Sequence, residues 1–129
     1  MSSYTFGKSI ALPFDAAVER VASELAKEGF GVLSEIDVAA TLKKKLGQDM
    51  PPYKFLGASN PQFASQALAA EREIGALLPC HVVVRVDAGG STRVEFTDPN
   101  AVLRQVDHPN VARLAGAVRL RLGKVMDAL

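Results

Sequence analysis

The chain has a single cysteine, no tryptophan and no long apolar run, and each shortage excludes a class of protein. One cysteine cannot close an intrachain disulfide, which rules out a disulfide-stapled secreted scaffold. No stretch approaches the ~18 apolar residues of a membrane-spanning helix. Charge of one sign is missing too: 15 Lys and Arg against 14 Asp and Glu leave a formal net charge of +1. That balance gives no general attraction for nucleic acid or an anionic membrane. The opening "MSSYTFGKSIALPF" has neither the basic start nor the apolar core of a secretory signal, so a cytoplasmic protein is expected.

Common catalytic signatures are absent as well. The candidate thiol and imidazole ligands are Cys80, His81 and His108, and no HxxxH, CxxC or HExxH spacing joins them. A metal site within one chain is therefore not expected, nor is any cofactor. No G-x-S-x-G elbow supports a Ser-His-Asp triad. "GFGVL" lacks the third glycine of a dinucleotide fingerprint and begins a strand instead of joining a strand to a helix.

What remains is an ordinary globular composition, 48% hydrophobic and 22% charged over 129 residues, enough for one domain, 1–129. The pattern reads β-α-β-α-β-α-β-β-α. The predicted class is α+β, a mostly antiparallel sheet with helices packed on one face. Tyr4, Phe6, Ile10 and Leu12 share the parity of a first strand, with Lys8 the exception. A helix follows Pro13, with Asp15 as its expected N-cap and Gly29 as its stop. "FGVLSEID" is a strand, in which Gly31 is expected to allow close packing. Asp37 caps a short helix that Gly47 ends. "YKFLGA" is a third strand. Asn60 and Pro61 begin a helix that runs to about Ala70. Around "DAGG", a three-residue loop Ala88-Gly89-Gly90 sets Val86 opposite Thr92, Val84 opposite Val94 and Val82 opposite Phe96 on one face. His81, Val83, Arg85, Arg93, Glu95 and Thr97 then occupy the other. Asp98 to His108 reads as loop, and Pro109 opens a last helix with an apolar stripe.

The stretch "IGALLPCHVVVRV" places a thiol beside an imidazole. Adjacent strand residues point to opposite faces, so Cys80 turns into the core and His81 away from it. A buried thiol is a packed, inert core residue and not a nucleophile. Two features suggest a site instead. Strict alternation puts Glu35 with Leu33, on the face opposite Val32, Ser34 and Ile36. Lys45, on the apolar stripe of the next helix, is a candidate partner for Glu35, against the plainer reading of a snorkelling lysine. "LGASNPQ" runs a strand into a helix N-terminus, where free N–H groups, Ser59 and Asn60 suit an anion, against plain capping by Asn60. Leu33 and the apolar last helix offer more apolar surface than one sheet face covers, which points to self-association.

"EGFGVLSEIDVAATLKKKLG", "YKFLGASNPQFASQAL" and "IGALLPCHVVVRV" closely resemble the signatures of the "domain of unknown function 302" family, from about Phe14 to Pro99. Glu35, Asp37, Lys45, Asn60, Pro61 and Cys80 match its pattern. Ser59 stands where the family's "GACNP" has cysteine, and His81 where "LPCNV" has asparagine. The resemblance implies one α+β domain, a homodimer and no established activity. With Ser59 in place of a thiol, it favours a polar binding role there over a two-thiol role. The expectation is a non-catalytic homodimeric module binding a small anionic molecule near Glu35, Lys45, Ser59 and Asn60. The alternatives are an enzyme using Cys80, and a structural or interaction domain without ligand.

Overall fold

The computed structural model describes residues 3–78 and 80–129. Five strands form one sheet: β1 (Thr5–Ile10), β2 (Gly31–Asp37), β3 (Tyr53–Ser59), β4 (Cys80–Val86) and β5 (Thr92–Thr97). Their spatial order is β1-β5-β4-β3-β2, and each neighbouring pair is antiparallel. The helices are α1 (Phe14–Lys27), α2 (Val38–Leu46), α3 (Pro61–Ala70), α4 (Pro99–Leu103) and α5 (Pro109–Ala128), with a 3-10 helix at Arg72–Leu77. The class is α+β, as the pattern predicts. The 3-10 helix and α4 are additions; α4 lies inside the expected Asp98–His108 loop, capped by Asp98 Oδ1 on the Asn100 N–H.

The hairpin register agrees with expectation: Val82 pairs with Phe96, Val84 with Val94 and Val86 with Thr92. Leu56 extends the first row through β3, opposite Val82. Phe96, Leu56, Val82, Val84 and Val94 are all fully buried, and Val21 and Leu25 of α1 with Leu122 and Val125 of α5 complete the same core. Burying each such side chain contributes roughly 1.5–3 kcal/mol. Helices α1 and α5 run antiparallel and close each other's ends. Arg20 donates to the Ala128 carbonyl at 2.8 Å, and Arg121 donates to the Glu28 carbonyl at 3.2 Å. Carbonyls at helix C-terminal ends lack intrahelical donors, so these arginines supply them.

Local signals read correctly at α2 and α3. Asp37 accepts the Ala40 N–H, Gly47 ends α2 at φ 65°, and Asn60 accepts the N–H groups of Gln62 and Phe63. Three expectations need correction. Pro13, not Asp15, occupies the N-cap of α1; Asp15 lies in the first turn, where a carboxylate still suits the helix dipole. Gly31 has open space around it, and the close approach is at Gly7, where a Cβ would meet the Val94 carbonyl oxygen. A bulge in β2 breaks strict alternation: Val32 pairs with Ala58 and Ser34 with Gly57, leaving Leu33 unpaired. Val32 therefore shares a face with Glu35, contrary to a simple parity count.

On the face opposite the core, Arg85 grips Glu95 through two nitrogens, at 2.7 and 3.1 Å, and Arg93 lies 3.7 Å from the same carboxylate. The hydrogen bond from Arg85 holds Glu95 below the ordinary carboxylate value of 4.5 against the opposing effect of burial. Glu24 of α1, buried between Lys27 and Arg20, is lowered chiefly by its hydrogen bond from Lys27. A carboxylate depressed in the folded state stabilises the fold above its unfolded value and loses that contribution as pH falls through the folded one. The thermal midpoint should therefore drop as pH falls below 4.5. Glu95→Gln should cost about 1–2 kcal/mol at neutral pH and flatten part of the acid slope. Calorimetry of both proteins across pH 3–7 checks this, and an unchanged slope would refute the assignment.

Candidate binding site at the strand-helix junction

Strand β3 leaves the sheet at Ser59 and turns directly into α3. Pro61 fixes the first helical φ, and the Asn60 side chain holds the turn by accepting two backbone N–H groups, at 3.1 and 3.4 Å. Asn60 is 7% exposed. Behind this turn lies a cavity of about 40 Å³. Ala58, Ser59 and Asn60 line it from the β3 end, and Cys80 from the start of β4. Phe63, Ala64 and Ala67 come from α3, Phe30 and Leu78 from connecting segments, Pro99 and Leu103 from α4, and Leu114 and Val118 from α5. The volume suits roughly three water-sized groups. Apart from Ser59, Asn60 and the thiol, its walls are apolar.

Cys80 packs against the main core as expected of its strand parity. Burial pushes its thiol up to about 11. Among the described residues no carboxylate, imidazole or ammonium lines the cavity, so none of them presents a base to the sulfur there. His81 lies on the opposite face, exposed, edge-on to Phe55 with ring centroids 5.4 Å apart. Among the described residues no group of three or more His, Cys, Asp or Glu is placed to hold a metal.

The four expected ligand residues separate into two places. Ser59 and Asn60 line the cavity. Glu35 and Lys45 do not, and they do not pair with each other within the chain. Glu35 instead meets Lys54 at 3.3 Å, the residue diagonal to it across the β2–β3 ladder. Lys45 is exposed on α2. The cation that reaches the turn is Arg121, whose guanidinium carbon lies 5.2 Å from the centre of the Phe63 ring. Sequence reading could not supply it, because α5 returns to α3 only through tertiary packing.

The raised thiol pKa has two checkable consequences. At pH 8 the native thiolate fraction is about 100-fold below that of an ordinary thiol, so iodoacetamide should modify native Cys80 at least that much more slowly than the urea-unfolded chain. A group whose pKa is raised on folding stabilises the fold below its unfolded value and loses that contribution as pH rises, here between 9.0 and about 11. Equal alkylation rates in the two states would show that the thiol is open.

The signature described as "Domain of unknown function DUF302" matches residues 6–129, a longer span than the motif-bearing stretches. The crystal structure of an uncharacterized conserved DUF302 protein from Bacillus stearothermophilus is similar throughout, at 28% identity and a TM-score of 0.90 over 98% of each chain. No curated protein matches. By a family signature that covers nearly its whole length, the chain belongs to the DUF302 family of domains of unknown function.

Proposed function

We propose that this chain is a cytoplasmic, homodimeric module that binds a small anionic molecule bearing an apolar group, without catalysing its conversion. The observation that carries the reading is the cavity behind the β3–α3 turn, with polar Ser59 and Asn60 among otherwise apolar walls. Ligand sites combine these elements: apolar surface for affinity and a few fixed polar groups for orientation. The partly buried thiol, its pKa raised and without a lining base, supports a wall and not a nucleophile. A lone free cysteine is at home in a reducing compartment, and no helix among the described residues is long and apolar enough to cross a membrane.

The dimer reading rests on β2 and α2. Every residue of β2 is exposed, and α2 buries none of its side chains. Leu33 is 72% exposed and Leu46 70%, with Val32 and Ile36 beside them. A nine-residue helix gains little stability from its own hydrogen bonds and depends on packing an apolar face. β2 is also an edge strand, whose free backbone groups can pair with another strand. A second copy meeting this same patch would cover both, as a two-fold contact requires.

Two measurements test these readings. In a thermal-shift and amide-resonance screen of small carboxylates, hits should move Ser59, Phe63 and Cys80 resonances saturably. Ala64→Leu, which fills the cavity wall, should abolish the response. A screen without hits, or hits unaffected by Ala64→Leu, would overturn the cavity as a site. Equilibrium sedimentation should give a dimer at micromolar concentration and a monomer for Leu33→Lys; a monomeric native chain would refute the dimer.

A further inference from the structure

Side chains cap the starts of α2, α3, α4 and α5. At the first three the acceptor is an oxygen, from Asp37, Asn60 and Asp98. At α5 it is a ring nitrogen: His108 Nδ1 accepts the Asn110 N–H at 3.1 Å. The difference is one of chemistry. An amide or carboxyl group keeps an acceptor oxygen in every protonation state, whereas an imidazolium has no lone pair to offer. Imidazole ordinarily takes up its proton between about pH 8 and 5. Only the neutral ring, with its hydrogen on Nε2, can close α5. Among the described residues the imidazole makes no other hydrogen bond, ion pair or ring contact to hold it in place.

The position of this cap gives it reach. Helix α5 has 20 residues, and its first turns hold Val111, Leu114 and Ala115 in a buried cluster with Leu103 of α4 and Ala67 of α3. The segment between α4 and α5 is tied back by the Val106 N–H on the Leu103 carbonyl and the His108 N–H on the Val106 carbonyl. His108 is half-buried on the wall of a groove of about 350 Å³, where the charged groups beside it are Arg104 and Asp107. Arg113, further along α5, faces a separate hollow with Gln66 and Asn110. No ion pair engages Arg104, Asp107 or Arg113 among the described residues. We propose that His108 is a proton-operated latch on the α4–α5 joint. Neutral, it locks the first turn of α5; protonated, it leaves the cap for the groove, and the first turn and the segment before it loosen. Two effects expel the charged ring: the Asn110 N–H loses its acceptor, and a cation sits at the positive end of the α5 dipole. The stabilisation is therefore present while the ring is neutral and is lost as pH falls. Pro109 holds a helical φ in both states, which confines the change to the joint. The latch stands apart from the cavity reading and from the dimer.

The test follows the full chain by magnetic resonance from pH 8 to pH 5, reading the His108 ring nitrogens and the amide-exchange protection of Val111 and Ala112, each corrected for the intrinsic exchange rate at that pH. Two variants separate cap from charge. His108→Asn keeps a good N-cap oxygen that does not titrate, and His108→Ala removes the acceptor at every pH. In the native chain, protection at Val111 and Ala112 should fall about fivefold as the His108 ring takes up its proton, the ratio expected for loss of an ordinary cap. Protection at Gln62 and Phe63, under the Asn60 cap, should stay level. His108→Asn should hold the native pH 8 protection at both ends of the range, and His108→Ala should show the low value throughout. Level protection in the native chain would overturn the latch, as would an equal fall in His108→Asn. A fall abolished by His81→Asn would move the effect to the other imidazole and overturn it as well.

Discussion

The fold depends on one face of the sheet being dry. The row Leu56–Val82–Phe96 crosses three adjacent strands, and the row Val84–Val94 runs beside it. Side chains alternate with a period of two, so a slip of one residue in any of these pairings would turn the whole set outward and bring His81, Arg85 and Glu95 against α1 and α5. The loss would be several side chains at roughly 1.5–3 kcal/mol each, more than the net stability of many domains. The Arg85–Glu95 grip on the opposite face reinforces the same register, because Glu95 pairs with Val83 and lies diagonal to Arg85. Two independent interactions, one apolar and one ionic, therefore agree on a single alignment.

That dry face also explains where the cavity forms. The buried residues divide into two clusters. The first lies between the sheet, α1 and α5, and includes Phe30, Ala58 and Val118. The second lies among α3, α4, the 3-10 helix and the start of α5, and includes Ala67, Leu103 and Leu114. Phe63 packs against both, and the cavity walls draw on both. Within a cluster, interdigitating side chains leave few voids. Along a seam between two clusters, helix directions and not side-chain volumes set the spacing, and space is left over. Ser59, Asn60 and Cys80 are at the seam because β3 ends and β4 begins there.

The legible parts of this structure were those in which a short run of residues decides the outcome. Asp37 and Gly47 bracket α2, Asn60 and Pro61 start α3, and the Ala88-Gly89-Gly90 loop fixes the hairpin, all as local chemistry requires. The parts that escaped were those in which a distant group decides. The bulge at Leu33 places Val32 and Ser34 on opposite faces, where strict alternation would put them on one, and only the β3 partner strand reveals it. Glu35 finds Lys54 because β2 and β3 lie side by side, whereas helical periodicity pointed along the chain to Lys45. The residues of the turn itself, Ser59 and Asn60, were readable; the cation beside it was not, since 93 residues separate Arg121 from the Glu28 carbonyl it closes.

Three elements of the fold meet at Gly29. Its positive φ ends α1, and the groups nearest its missing Cβ are the Asn60 amide before α3 and the Arg121 guanidinium on α5. One residue type meets the demands of helix termination and of a close approach, so both bear on the glycine. The distinction is physical. Termination needs only the left-handed conformation, which asparagine also adopts at modest cost. A Cβ there would come within 2.9 Å of Asn60 Nδ2, so any side chain would force the Asn60 amide to shift. The three elements that meet there belong to different parts of the core: α1 to the sheet layer, α3 to the helical cluster, and α5 to both. The seam between those parts is where the protein's own packing leaves the cavity.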